Sequence, residues 1–274
     1  VTGVQTCALP IYDRWIRQCD FPVLGANIID NATGKPYLKP YEVLERDGVR
    51  IAVLGMITPA IPSWLPEKLW SGLHFEEMEP CARKWVKIIK EKENPDVIVG
   101  LFHAGKSGNV LGQVVEDASM DVAKRVPGFD VVLMGHDHTR ECVKVQNVAG
   151  DSVLVIDPAN NANVVSDVTL TVTKKDGKVV EKSVEGRLAD MNKYPVSREF
   201  MDKFAPQYKA VNDFVSRKIG TISRTITAKD AYFGSSPFID LIHQLQLEIS
   251  GAEVSFCAPL SFRAEIKEGE IGRA

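Results

Sequence analysis

Short, uninterrupted apolar runs alternate with an amphipathic segment through the first half of the chain. Residues 51–56, 97–102 and 131–134 form aliphatic and aromatic runs that are too short for typical helices. Between the first two runs, residues 76–93 carry apolar side chains at the three-to-four spacing of one buried helical face. Buried parallel strands connected by helices have this signature. The pattern therefore predicts an α/β fold built on a largely parallel sheet.

The remaining pattern predicts further elements on both sides of these runs. Before the amphipathic segment, we expect a strand at 21–29, a hairpin at 41–57 and an irregular Pro- and Trp-rich loop at 58–73 that is either a lid or a pinned surface loop. After it, we expect a helix at 114–126 and strands at 141–148, 152–157, 164–173 and 178–184. A linker helix at 195–220, interrupted at Pro206, follows. Beyond the linker we expect a strand at 221–227, a helix from Ser236 to Ile249 and a strand at 253–257. The shorter alternating strands favour an antiparallel sheet packed beside the first sheet or continuing it.

Three of the five histidines follow the apolar runs directly. His103 ends the run at 97–102, and His136 and His138 lie in a Gly-His-Asp-His turn immediately after the run at 131–134. Ligands in open α/β sheets gather at the carboxyl ends of the strands. Neutral imidazoles two residues apart can each bind one ion of a two-metal centre. A single histidine would more simply be exposed or satisfied, but the repetition at two strand ends predicts a metal site. His243 lies off the apolar stripe of its helix and is predicted to face solvent.

Composition excludes several classes of protein. The 33 basic and 36 acidic residues form no basic stripe interleaved with aromatic residues, so we expect no nucleic-acid partner. The sequence contains no apolar run of about 18 residues, the length that a membrane span needs. The five cysteines show no CxxC spacing and indicate neither a zinc-thiolate site nor a disulfide framework.

The two ends of the sequence look foreign to the rest. Residues 1–11 resemble the translation of a common sequencing-adapter oligonucleotide, and residues 271–274 resemble the same oligonucleotide read on the opposite strand. We therefore expect residues 12–270 to be a piece of a longer reading frame.

Two motifs carry a resemblance to a known family: FHAG at 102–105 and VLMGHDHT at 132–139. They resemble the bifunctional metallophosphatase/5′-nucleotidase family, in which a calcineurin-like metallophosphoesterase domain precedes a 5′-nucleotidase C-terminal domain. The resemblance covers nearly all of residues 21–270. It implies an α+β sandwich of two sheets at 12–194, a linker helix at 195–220 and the start of a second, substrate-binding α/β domain at 221–270.

The same resemblance implies a site and a reaction. His103 and His136 would bind one divalent ion and His138 a second, with Zn, Mn, Co, Mg or Ca as the candidates. A hydroxide held between the two ions would attack a nucleotide phosphate ester, as in 5′-nucleotidases, 2′,3′-cyclic-nucleotide phosphodiesterases and UDP-sugar hydrolases. Arg263 stands where the family has an Asn-Gly-Gly-Ile-Arg-like loop and either contacts substrate or lies on the surface. A periplasmic or cell-surface location is implied in the same way.

The sequence lacks other motifs of that family. Neither its Asp-x-His nor its Asn-His-Asp/Glu motif occurs in the 274 residues, and its bridging aspartate and catalytic histidine have no counterpart. We therefore expect no phosphatase activity from the chain alone and at best weak metal binding. Three other interpretations stay open: a nuclease of the same superfamily, a non-catalytic surface or binding protein that keeps the fold, and a structural zinc clip at the Gly-His-Asp-His turn.

Overall fold

The structure is a computed structural model that describes residues 8–258 and 261–272. The chain divides into two compact units, residues 1–194 and 195–274. Within the segments expected to be foreign, a helix begins at Ala8 and Ile271 pairs with Gly220 in a strand. The same expectation for residues 1–7, 273 and 274 concerns positions outside the described residues.

The first unit is built around one mixed six-stranded sheet. Its helices and strands are, in chain order, α1 (Ala8–Ile16), β1 (Ile28–Asp30), β2 (Lys35–Pro36), β3 (Tyr41–Arg46), β4 (Val49–Ile57), α2 (Ile61–Trp64), β5 (Leu73–Phe75), α3 (Met78–Glu93), β6 (Val97–His103), β7 (Gly108–Leu111), β8 (Val114–Asp117), α4 (Ser119–Arg125), β9 (Val131–Leu133), β10 (Arg140–Gln146), β11 (Ser152–Pro158), β12 (Val164–Lys175) and β13 (Lys178–Asp190). The strand order in the large sheet is β10-β11-β9-β6-β4-β3. Its four central strands are parallel and its two edge strands antiparallel, which confirms the predicted α/β class.

The central strands are apolar on both faces because other elements pack against most of each face of the sheet. Alternate residues such as Leu54 and Met56 face a core formed with α3 and α4. The intervening positions, including Val97 and Val99, pack against the long β12–β13 hairpin on the opposite face. Continuous apolar runs therefore become strands buried on two sides, as the sequence pattern indicated.

Strand register brings the ends of β4, β6 and β9 to one edge of the sheet. Ile57 at the end of β4 is paired with His103 at the end of β6, and Leu101 in β6 is paired with Leu133 at the end of β9. The loops after β6 and β9 therefore leave the sheet side by side. These loops carry the three candidate histidines.

The predicted helix at 114–126 is wrong in its first part. Val114–Asp117 is a strand that pairs with Gly108–Leu111 across a tight turn in which Gly112 has φ +65°. The two consecutive β-branched valines favour this extended hairpin. Only the later part of the segment forms a helix, α4, in which Val122 and Ala123 are fully buried.

Two other predictions in the amino-terminal half need correction. The strand expected at 21–29 is limited to Ile28–Asp30, which forms a small antiparallel sheet with β2 and β5. The segment 58–73 is not wholly irregular, because it contains α2, a short 3₁₀ helix at Glu67–Leu69 and the start of β5. Prolines at 62 and 66 lie inside or next to the two short helices.

The second unit contains α5 (Arg198–Val215), β14 (Gly220–Ile222), β15 (Ile226–Thr227), α6 (Pro237–Ser250), β16 (Glu265–Ile266) and β17 (Gly269–Ile271). α5 begins at Ser197, whose hydroxyl accepts a bond from the Phe200 amide, and it continues through Pro206 without the expected interruption. α6 begins after Ser236 as predicted and ends at Gly251 with φ +69°. Residues 253–257 form a loop, so the strand predicted there is wrong. No helix within the described residues is long and apolar enough to cross a membrane.

Candidate metal centre

The histidines from two strand ends lie together at one edge of the sheet. The ring centroids of His103 and His136 are 5.2 Å apart, with the ring planes at 65°. His138, two residues further along the same turn, is exposed, and its Nδ1 lies 3.2 Å from Asn160 Nδ2. The structure thus brings His103 and His136 into direct contact and leaves His138 on the outer side of the turn.

The backbone of this turn adopts a conformation that few residues tolerate. His136 has φ +96° and His138 has φ +58°, both in the region that favours glycine. Such strain persists only where surrounding contacts enforce it, and it is concentrated at functional sites. The Asp137 side chain helps to hold the turn in this conformation, since it accepts hydrogen bonds from the Lys106 amide at 2.8 Å and the Thr139 amide at 3.0 Å.

Electrostatics keep His103 in the form that binds metal ions. Burial lowers the pKa of His103, and the neighbouring His136 and His138 lower it further because a second positive charge nearby is unfavourable. A lowered pKa leaves the imidazole neutral at pH 7, with a free nitrogen lone pair.

Sequence reasoning missed two carboxylates at the end of β8. Glu116 Oε1 lies 2.8 Å from His136 Nε2, and Asp117 Oδ1 accepts a bond of 2.6 Å from the amide of Gly105 in the loop after His103. Potential ligand atoms of Glu116, Asp117 and His136 all lie within 4.8 Å of one another. The helix prediction for this segment concealed them, because they lie in a short strand of mixed pattern that reaches the site only through the tertiary fold.

The Trp-rich segment reaches the same site. The Trp64 ring, at the end of α2, lies 5.2 Å from the His136 ring with the planes inclined by 33°. Trp64 is 42% exposed, so it covers one side of His136 while its outer surface stays in solvent. This position fits the predicted alternative in which segment 58–73 is a lid over the edge of the sheet that carries the candidate histidines.

A buried carboxyl group completes the surroundings of the turn. Asp157, at the end of β11, is fully buried; its Oδ1 accepts a bond from the Ala159 amide, while Oδ2 has no partner among the described residues. Burial raises the pKa of Asp157 to about 6, against the lowering by the Ala159 amide, and the nearby Asp137 charge raises it further. A divalent ion fits this donor set, because the imidazole of His103 is neutral and a buried carboxylate oxygen beside His138 lacks a partner.

The raised pKa of Asp157 predicts that the free energy of unfolding of the metal-free protein depends on pH. The folded chain holds this proton more tightly than the unfolded chain, so stability falls as pH rises from about 4 to about 6. In chelator at pH 7.5, Asp157→Asn is therefore expected to raise the free energy of unfolding by up to about 3 kcal/mol. The gain should vanish toward pH 4 in urea titrations. A gain of equal size at both pH values would contradict this account, and the exposed Asp176→Asn serves as control.

Gly105 is required by the close approach of two loops. A Cβ at this position would overlap the Asp117 carboxylate and lie 2.7 Å from Asp137 Cβ. Gly105→Ala is expected to lower the free energy of unfolding by about 1–3 kcal/mol, since the loops after β6 and β9 must separate. Urea unfolding of this variant measures the cost, and Gly234→Ala, at a glycine with open space around it and no positive φ, is the control. Wild-type stability in Gly105→Ala would mean that the loops are less closely packed than described.

The two remaining candidate residues lie in the second unit. Arg263 is exposed and follows Phe262, whose ring stacks on Tyr232; Pro259 and Leu260 of the same segment lie outside the described residues. His243 is half-buried, with Nδ1 2.8 Å from Ser255 Oγ, so the prediction that it faces solvent is wrong. The loop at 253–257 folds back onto α6, which the sequence pattern does not indicate.

Comparison with known proteins gives relatives in one functional group. A Vibrio cholerae 5′-nucleotidase is 30% identical over 131 residues, which is 47% of this chain and 24% of the relative. A 2′,3′-cyclic-nucleotide 2′-phosphodiesterase/3′-nucleotidase of Yersinia enterocolitica is 25% identical over 257 residues, which is 82% of this chain and 38% of the relative. The chain therefore spans less than two fifths of the length of either relative. No family model matches the chain.

Solved structures share the fold. A Staphylococcus aureus protein named as a candidate 5′-nucleotidase, crystallised with alpha-ketoglutarate, matches with a TM-score of 0.76 and 19% identity over 97% of this chain and 52% of its own. The calcineurin-like phosphoesterase YfkN of Bacillus subtilis matches with a TM-score of 0.61 and 21% identity over 75% of this chain and 67% of its own. The chain is thus a homologue of 5′-nucleotidases and 2′,3′-cyclic-nucleotide phosphodiesterase/3′-nucleotidases, which hydrolyse phosphate esters, and it has the calcineurin-like phosphoesterase fold.

Proposed function

We propose that this chain is part of a two-metal-dependent phosphoesterase that hydrolyses nucleotide phosphate esters. The observation that carries the proposal is the meeting of His103 and His136, from different strand ends, at the carboxyl edge of the sheet. In the proposed assignment these two side chains hold one divalent ion and His138 contributes to a second. Two bound ions would supply a hydroxide nucleophile at neutral pH and neutralise charge on the phosphoryl oxygens.

The chain's own residues would prepare this site in three ways. His103, kept neutral by its surroundings, offers a lone pair without first losing a proton. Asp137 fixes the strained turn between the other two histidines through its bonds to Lys106 and Thr139. Trp64 covers one side of His136 and limits the access of water there.

The substrate class comes from the relatives and from the surface next to the histidines. A cavity of about 670 Å³ is lined by His103 and Gly135, with Asn160 and Asn161 along one side. Amide side chains can bond to sugar hydroxyls or phosphate oxygens. We propose a 5′-nucleotide, a 2′,3′-cyclic nucleotide or a UDP-sugar as substrate, with Arg263 as a contact in the second domain. Export to the periplasm or cell surface belongs to the same proposal.

We further propose that the 274-residue chain alone is inactive. Its sequence lacks the Asp-x-His and Asn-His-Asp/Glu motifs that supply the remaining ligands in the family it resembles. Leu101, in the middle of the large sheet, is 48% exposed, and Val165 in β12 is 44% exposed, both on the wall of the cavity beside His103. An apolar face of this kind on a central strand is normally covered in a complete domain.

The test is a hydrolysis assay on both forms of the protein. The product of the complete reading frame is incubated with 5′-AMP, 2′,3′-cyclic AMP and UDP-glucose, with Mn²⁺ or with chelator. Chromatography then measures adenosine from 5′-AMP, adenosine monophosphate from the cyclic nucleotide, and UMP from UDP-glucose. We expect metal-dependent turnover of at least one substrate, and none by the 274-residue chain. Turnover that persists in chelator, or normal turnover by the 274-residue chain, would contradict the proposal.

A further inference from the structure

We propose that Glu116 is a positioning residue for His136, which rests on the proposed role of His136 as a metal ligand. Glu116 Oε1 lies 2.8 Å from His136 Nε2. The side chains are only 15% and 19% exposed, so the bond is largely shielded from water. A carboxylate has only acceptor atoms, so the imidazole donates its Nε2 proton in this contact. Nδ1 is then the nitrogen that carries the lone pair available to a metal ion.

His136 needs such support because its backbone conformation is unfavourable. A histidine at φ +96° is in a sparsely populated backbone region that persists only where surrounding contacts enforce it. The ring is held from three directions by Glu116 at its edge, Trp64 at 5.2 Å and His103 at 5.2 Å. Of these three contacts, the bond to Glu116 is the one that also selects a tautomer.

The neighbouring carboxylate has a different task, which separates the roles of the two residues. Asp117 Oδ1 accepts from the Gly105 amide at 2.6 Å, and Oδ2 accepts from Asn109 Nδ2 at 2.7 Å. Both of its oxygens are therefore engaged in holding the loop that follows His103. The end of β8 thus stabilises both loops that carry histidines. Asp117 bonds to the backbone of the loop after His103, and Glu116 bonds to the side chain of His136 in the loop after β9.

A direct role of Glu116 as a metal ligand is the competing assignment. Ligand atoms of Glu116, Asp117 and His136 are close enough to surround one ion. In that arrangement the ion would compete with the bonds that Glu116 and Asp117 already accept from His136 and from the Gly105 amide. We assign the positioning role because the Glu116 oxygen that faces His136 already accepts the ring proton.

The experiment reads the tautomer of His136 without any metal. Long-range ¹H–¹⁵N spectra of the metal-free 274-residue chain report which ring nitrogen carries the proton, and the His136→Ala variant identifies the His136 signals. We expect the Nε2–H tautomer in the wild type and in Glu116→Gln, which keeps an acceptor oxygen. In Glu116→Ala we expect a mixture of tautomers. An Nδ1–H tautomer in the wild type, or an unchanged tautomer in Glu116→Ala, would overturn the proposal.

A Zn²⁺ titration of the same samples distinguishes the two assignments. If Glu116 positions His136, Glu116→Ala should bind Zn²⁺ about 10–100-fold more weakly, as is usual when a partner of a metal ligand is removed, and Glu116→Gln should bind it with nearly the affinity of the wild type. If Glu116→Gln binds as weakly as Glu116→Ala, Glu116 is a direct ligand and the proposal fails. Glu93→Ala, which removes a partly buried partner of Arg50 elsewhere, should match the wild type.

The titration also separates failure of this inference from failure of the proposed function. If Zn²⁺ at millimolar concentration leaves the His136 signals unchanged both in the wild-type chain and in the complete protein, the metal centre itself is refuted. If Zn²⁺ shifts those signals equally in the wild type and in Glu116→Ala, the metal centre stands and only the role of Glu116 is refuted. Circular dichroism of each variant verifies that its fold is retained.

Discussion

Replacing His136 with alanine in the complete protein is expected to lower metal-dependent phosphate release on the order of 10³-fold. The change removes a proposed metal ligand, and a metal ion contributes several kcal/mol of stabilisation to the charge that develops on the phosphoryl group. The loss should appear in kcat at saturating Mn²⁺, because the remaining ligands cannot restore the geometry of the bound ion. Initial rates of phosphate release over a range of substrate and Mn²⁺ concentrations measure the effect.

A histidine outside the site provides the control for this experiment. His74 is exposed in β5, and its Nδ1 lies 2.5 Å from Asn31 Oδ1. His74→Ala therefore removes an imidazole that is not part of the candidate site. We expect rates within about twofold of the wild type for this control, as for most surface substitutions. Activity in His136→Ala comparable to that of His74→Ala would contradict the assignment of His136.

The largest stability loss is expected for Asn27→Ala, at about 2–5 kcal/mol. Asn27 is fully buried; its Nδ2 donates to the carbonyls of Ile57 at 2.7 Å and Glu76 at 3.1 Å, and its Oδ1 accepts from the Ile57 amide at 3.0 Å. Alanine would remove the side-chain partner of three partly buried backbone groups, and an unsatisfied buried group costs about 1–3 kcal/mol. Urea unfolding measured by circular dichroism gives the difference.

This loss would also reach the edge of the sheet that carries the candidate histidines, because Ile57 is the residue paired with His103. We therefore expect weaker Zn²⁺ binding in Asn27→Ala at temperatures where the variant is still folded. Asn192→Ala, which removes an exposed bond to Asp190, should change stability by less than about 0.5 kcal/mol. Equal stability of Asn27→Ala and Asn192→Ala would contradict the role given to the buried amide.

The parallel core of the fold could be predicted because its signal is local. The runs that became β4, β6 and β9 are apolar at every position, and α3 shows one clear apolar stripe. Segments whose structure depends on contact with another segment were not predictable in this way. Val114–Asp117 becomes a strand because Gly108–Leu111 pairs with it, and residues 253–257 become a loop in which Ser255 bonds to His243.

The same distinction between local and non-local signals applies to the residues of the candidate site. His103, His136 and His138 could be found from the sequence because each follows a strand end, where the direction of a parallel sheet fixes the location. Glu116 and Trp64 could not, since they lie in segments of mixed pattern and reach His136 only through the tertiary fold. The carboxyl group of Asp157 was likewise hidden at the end of an apolar strand, where its burial gives it a raised pKa.

A crystal structure of the complete protein grown with Mn²⁺, with anomalous scattering recorded at the manganese edge, tests the central claim most directly. We predict one anomalous peak about 2.0–2.3 Å from a ring nitrogen of both His103 and His136, with a second about 3.5–4 Å away on the side of His138. The His136 ring should bind through Nδ1 while Nε2 keeps its bond to Glu116. Peaks that avoid these histidines, or a structure in Mn²⁺ without any anomalous peak at this edge of the sheet, would contradict the account.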